Sequence, residues 1–117
     1  MAPAYFTSRG FHMKVSKELT NTVTSTTILT PKECNGVHIL WSVVDTTTGL
    51  LADATGISVS FFALGPAGNE IPFDVNPVAA SGGQVKPTTM GPSINLKATA
   101  SGLTAQKKIV MSFHFLF

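Results

Sequence analysis

The chain has 117 residues, of which 44% are hydrophobic and only 12% charged, and its formal net charge is +2. That length suits one domain with a core of its own, while the charged share is well below the roughly one quarter of a typical soluble domain. No run of about 18 apolar residues occurs, which excludes a membrane-spanning helix. The opening Met1-Ala-Pro-Ala-Tyr-Phe6 lacks the basic and apolar regions of a signal peptide, so none is expected.

Cys34 is the only cysteine, so no intrachain disulfide can form. With no Asn-x-Ser/Thr acceptor present, the chain reads as made in a reducing cytoplasm. The charges are unevenly placed. Residues 1–32 carry Arg9, Lys14, Lys17 and Lys32 against Glu18 alone. Residues 33–85 carry Glu33, Asp45, Asp53, Glu70 and Asp74 and no Lys or Arg, and residues 86–117 carry only lysines. If the first and last strands pair, a basic region stands apart from an acidic one, a pattern suited to complementary contacts between subunits.

Residues 1–10 form an N-terminal arm, and 11–117 form the domain. Tyr5 and Phe6 are adjacent, so in an extended chain they point opposite ways. One of them is then available to anchor on a neighbour or to lid the domain's own core. Phe11, Met13 and Val15 alternate with His12 and Lys14 as a strand, and Ser16–Glu18 is expected to turn or bulge. The segment 20–30 (TNTVTSTTILT) is dense in β-branched residues that favour a strand, which Pro31 ends. Asn35-Gly36 is the expected turn.

Val37 to Asp45 carries apolar side chains on both faces (Val37, Ile39, Trp41 and Val43; Leu40 and Val44), the pattern of a central strand. Residues 50–56 read as a loop. Ile57, Val59, Phe61 and Ala63 share one face of the next strand; Phe62 and Leu64 stand on the otherwise polar face behind Ser58 and Ser60. Gly65–Glu70 is a hairpin-type loop. Ile71 to Val75 is a short strand, placed at an edge because Pro72 cannot donate to a ladder. Residues 76–92, with three prolines and three glycines, read as a long loop with a strand pair near Gln84–Lys86. Ser93–Ala100 and Lys107–Phe117 are expected to pair as a terminal hairpin. In the second of these, Ile109, Met111, Phe113, Phe115 and Phe117 form one apolar face, which calls for a place in the body of a sheet.

Seven to eight short strands and no amphipathic helix define an all-β fold, a single-domain antiparallel β-sandwich, jelly-roll or immunoglobulin-like. The immunoglobulin cysteine pair is missing. Catalytic constellations are absent from the sequence: there is no Gly-x-Ser-x-Gly elbow, no close pair of acids, and no Lys-Ser/Thr after Gly82-Gly83 to make a phosphate loop. His12, His38 and His114 lie on three strands and would form a metal site only if those strands were adjacent. No short ligand spacing supports it, so neither metal nor cofactor is expected. Lys107-Lys108 is the one basic pair, and the aromatics around it read as core, which disfavours a nucleic-acid platform.

Through TNTVTSTTILT and the expected terminal hairpin, the chain resembles the small accessory structural proteins of tailed-phage virions, of the capsid cement or decoration type. The resemblance spans the whole chain but lies in composition and architecture, with no motif from which a residue's role could be carried over. It implies a non-enzymatic virion protein made in a host cytoplasm. Its partners would be a major capsid protein or other virion subunits, and it would form a dimer or trimer that stabilises a lattice by burying apolar surface. Contacts are then expected at Tyr5, Phe6, Arg9, Phe62, Leu64 and Phe117. A sandwich can also serve as a carbohydrate- or receptor-binding module of a fibre or adhesin, or as a tail or head-completion subunit.

Overall fold

Eight strands build two four-stranded antiparallel sheets in the computed structural model, which describes residues 12–72, 81–89 and 95–117. The strands are β1 (His12–Leu19), β2 (Ser25–Ile28), β3 (Gly36–Asp45), β4 (Ser58–Leu64), β5 (Glu70–Pro72), β6 (Gly82–Thr89), β7 (Leu96–Ser101) and β8 (Lys107–Leu116). One sheet has the order β1-β8-β3-β6, the other β2-β7-β4-β5. The pairing has a simple rule: first strand with last, β2 with β7, β3 with β6, β4 with β5. The chain is thus one long antiparallel hairpin doubled over on itself. The fold closes where β8 also pairs with β3, and β7 with β4.

The inner faces follow the period-two pattern. Ile109, Met111, Phe113 and Phe115 of β8 lie beside Val37, Ile39, Trp41 and Val43 of β3, all buried. Facing them are Val59 and Phe61 of β4 and Leu96, Ala98 and Ala100 of β7. Phe61 and Phe113 meet edge to face across the core, ring centroids 6.1 Å apart at 78°, an arrangement that adds about 0.5–1.5 kcal/mol beyond the area buried. As expected, β3 is central and β5 is an edge strand. The first strand pairs with the last, which brings the basic ends of the chain together.

Several expectations are corrected. The terminal hairpin does not form, because β7 and β8 belong to different sheets. Each has a single apolar face. Opposed across the core, the two faces cover each other, whereas side by side they would need a further layer. The second strand is four residues, not eleven. The Thr20 hydroxyl accepts from the Val23 N–H at 3.0 Å, and the Thr20 N–H donates to the Val23 carbonyl, so this stretch turns before it pairs. The expected turn at Ser16–Glu18 is absent, since β1 runs to Leu19 in unbroken register with β8. Within 76–92, the strand expected near Gln84–Lys86 is present but longer, spanning 82–89 and pairing with β3.

Glycine and proline in β6 look like loop punctuation but serve the ladder. A Cβ on Gly82 would strike the Trp41 carbonyl oxygen, and one on Gly83 would sit 3.2 Å from the Trp41 indole nitrogen. Lys86 and Pro87 together oppose His38 at a register shift, a bulge that accommodates a residue with no N–H to give. The turn before β3 also differs. Glu33 adopts φ 66°, and Gly36 begins the strand rather than the turn.

The crossover from β7 to β8 depends on Gly102, at φ +83° and packed against the Gly56 carbonyl oxygen. Gly102→Ala is expected to cost about 2 kcal/mol or more, since left-handed strain and a backbone clash coincide. Gly49→Ala, at φ +73° with open space around it, should cost about 1 kcal/mol. Urea unfolding of the two variants measures the difference. Equal losses would show that the Gly56 contact contributes nothing.

Candidate functional site: the outer faces of the two sheets

On the β2-β7-β4-β5 sheet, hydroxyls line most of the outer face. The Ser58 and Ser101 hydroxyls hydrogen-bond at 2.6 Å, and Thr99 donates to Ser25 at 3.5 Å. Phe62 interrupts them, set between Lys97 on β7 and Pro72 on β5. Leu64 lies opposite Glu70. The Lys97 ammonium and Glu70 carboxylate meet at 2.6 Å, bridging from β7 to β5 across β4 beside the two apolar side chains. That bridge helps leave Phe62 and Leu64 half-buried rather than fully exposed.

Of the six expected contact residues, Phe62 and Leu64 share this face. Phe117 follows β8 in the other sheet and is 37% exposed. Tyr5, Phe6 and Arg9 lie outside the described residues. Sequence reading overlooked Leu29, Leu50 and Leu51, exposed by 73%, 70% and 67%. For Leu29 the signal was present: the alternation that buries Ile28 points its neighbour outward. Residues 50–52 fold back on β3, with the Ala52 N–H donating to the Val43 carbonyl and Leu51 bridging Val44. Val44 is thereby buried on the outer side of its sheet, while Leu51 itself stays exposed.

The outer face of the β1-β8-β3-β6 sheet holds an open groove of about 620 Å³. Small residues (Ser16, Ser42, Val110 and Ser112) line it, with Lys14 and Glu18 on β1 and Leu40 on β3. Beside it, His38 and His114 are directly opposed, ring centroids 6.2 Å apart. His38 Nε2 lies 2.8 Å from Gln84 Oε1, and His114 Nε2 lies 2.9 Å from Ser112 Oγ. The three histidine strands are indeed adjacent, but the residue opposite His114 on β1 is Lys14, while His12 opposes Leu116. The register therefore sets an ammonium-bearing residue beside the imidazole pair, which opposes a cation there. Among the described residues no cluster of three potential ligands is placed to hold a metal.

Several of the charges have local partners. Lys108 pairs with Glu18 at 3.2 Å, and the Lys107 ammonium donates to the Asp53 carbonyl. The Asp45 carboxylate accepts the N–H groups of Thr48 and Thr47 at 2.9 and 2.8 Å, which holds its pKa below the ordinary value. Asp53 is lowered likewise, first by the Thr55 hydroxyl and then by the Thr55 N–H. Cys34 is fully buried, and burial raises its thiol pKa more than the hydrogen bond from Gly36 lowers it.

No family model matches this chain, and no curated protein does. Among solved structures it is similar to a chain from the Bacillus endospore appendages, which form disulfide-linked pili. That chain is 18% identical, with a TM-score of 0.43 over 92% of this chain and 88% of the other. It is also similar to a chain from the acid-stable capsid of the Helicobacter pylori bacteriophage KHP30. There the identity is 14% and the TM-score 0.34, over 91% and 94% of the two chains. At such TM-scores the likeness is coarse.

The lowered aspartates set a direction for pH. A carboxylate whose folded pKa lies below its unfolded value stabilises the fold above about pH 4. That contribution is lost as pH falls through the folded pKa. The urea midpoint should therefore drop on acidification below about pH 4, and Asp45→Asn should flatten that drop. An unchanged slope in the variant would remove Asp45 as a source. Cys34 should resist a disulfide-exchange reagent at pH 8 until denaturant is added. Stoichiometric labelling of the native chain would contradict its burial.

Proposed function

We propose that this chain is a non-enzymatic structural subunit that works by assembly, of the capsid cement or decoration type, with its doubled-over hairpin forming a jelly roll. The observation that carries this reading is the display of Phe62 and Leu64 on an outer sheet face, in a chain with 12% charged residues that also exposes Leu29, Leu50 and Leu51 elsewhere on its surface. Apolar side chains on a surface with so little charge favour burial against other subunits. Lys108 with Glu18 and Lys97 with Glu70 pair within the chain, which leaves fewer unpaired charges. The partners would be a major capsid protein or other virion subunits, and the working location a virion.

The replacement Phe62→Ser with Leu64→Ser tests this. Both side chains are only half-buried, so the isolated domain should lose no more than about 1–2 kcal/mol for the pair. Self-association in light scattering and co-sedimentation with purified capsids should both fall sharply. A parent protein that stays monomeric at every concentration and never pellets with capsids would sink the proposal. A second reading, a carbohydrate- or receptor-binding module, is favoured by the groove on the other sheet. Glycan-array binding abolished by Leu40→Asp would support it over assembly.

A further inference from the structure

We propose that β1 is a self-pairing edge: it joins β1 of a second copy, antiparallel, about a two-fold axis at Ser16, merging two four-stranded sheets into one. This deepens the assembly reading, on which it rests, by assigning a partner and a register to one edge.

The four sheet edges are not equivalent. β2 has four residues and β5 three, with Pro72 among them. β6 contains Gly82, Gly83 and Pro87, and its register shifts against β3. Such features blunt an edge. β1 differs, with eight residues (HMKVSKEL), no glycine or proline, and unbroken register to β8. Among the described residues its ladder partner is β8 alone, so its other side carries backbone donors and acceptors available to another strand.

Symmetry and charge select the register. A two-fold axis normal to the sheet keeps the inner faces of both copies on one side, so a residue of one parity must oppose the same parity. The axis therefore passes through a residue. At Lys14 or Lys17 it would oppose two ammonium groups. At Val15 it would oppose Lys14 to Ser16, and the apolar Met13 to Lys17. At Ser16 it opposes Lys14 to Glu18 of the second copy, and by symmetry Glu18 to Lys14. Opposite charges directly across a ladder favour pairing, and like charges oppose it.

The inner face agrees. Met13, 42% exposed although it shares the core-facing side of the sheet with Phe115, comes to lie opposite Leu19 of the second copy. Lys17 comes opposite Val15, where its aliphatic stem can lie over apolar surface with the ammonium in water. Lys14 is exposed, and the Glu18 side chain keeps 53% of its exposure while paired with Lys108, so both can be reached. Glu18 would then bridge Lys108 of its own chain and Lys14 of the other.

Cross-linking tests the register. Residues directly opposed in an antiparallel pair have Cα atoms about 4.5–5.5 Å apart, within the range a disulfide spans. Ser16→Cys should therefore give a covalent dimer under mild oxidation, while Lys14→Cys and Lys17→Cys, which oppose other residues, should not. Buried Cys34 serves as the silent background. In parallel, Lys14→Glu should weaken the dimer by about tenfold or more in sedimentation, since two attractive pairs become repulsive. Adding Glu18→Lys should restore it, with thermal unfolding confirming that each variant folds. A parent protein that associates while Ser16→Cys fails to cross-link and the charge swap fails to rescue would overturn the β1 edge but leave assembly standing. A strictly monomeric protein would overturn both.

Discussion

β8 carries a hydrogen-bonded neighbour along both sides, β1 on one and β3 on the other. Its inner face, Ile109 to Phe115, is almost wholly removed from water. Those side chains cannot be covered by β1 and β3, which lie in the same sheet, so the opposite sheet must supply Phe61, Leu96, Ala98 and Ala100. From that one requirement the rest follows. β7 must leave β8's sheet, the connection between them must turn sharply at Gly102, and β4 must stand opposite β8 for Phe61 to meet Phe113 edge-on.

The polar side of the molecule is economical. Carboxylates are used to close turns, as at Asp45 and Asp53, or to tie strands across a sheet, as at Glu18 and Glu70. Exposed ion pairs of this kind add little to stability, but they neutralise one another. Two such pairs, in a chain with only 12% charged residues, leave hydroxyls, short aliphatic groups and a few leucines outward between the remaining charges. The same arrangement that completes the fold thus leaves it suited to association.

Much of this was legible in the residues because burial on one face imposes a period of two. The faces of β4 and β8, the central place of β3 and the edge position of Pro72 were all readable from alternation and proline chemistry. Phe62 and Leu64 stood out for the same reason, as apolar residues at polar phase. What alternation does not encode is which strand lies beside which. The register of β8 against β1 and β3, and its separation from β7, depend on long-range packing. The full length of β6 was masked for a different reason. Gly82 lies against the Trp41 backbone carbonyl, Gly83 against the Trp41 ring, and Pro87 at a bulge, yet alone each signals a loop. The late start of β2 goes with the Thr20 hydroxyl, which takes the Val23 N–H, and at its far end the Thr30 N–H is taken by Asn95 Oδ1.

The position of β8 also has a consequence in time. Without residues 107–116, β1 has no ladder partner among the described strands, and β3 keeps only β6. The β4–β5 pair closes across a few residues, but the β1–β8 ladder joins the two extremes of the chain, and long closures carry the larger entropic cost. A growing chain on the ribosome therefore cannot build the first sheet until β8 has emerged. Until then the apolar faces of β1 and β3 wait without their lateral neighbour, an interval in which a chaperone or a finished copy offers the nearest shelter.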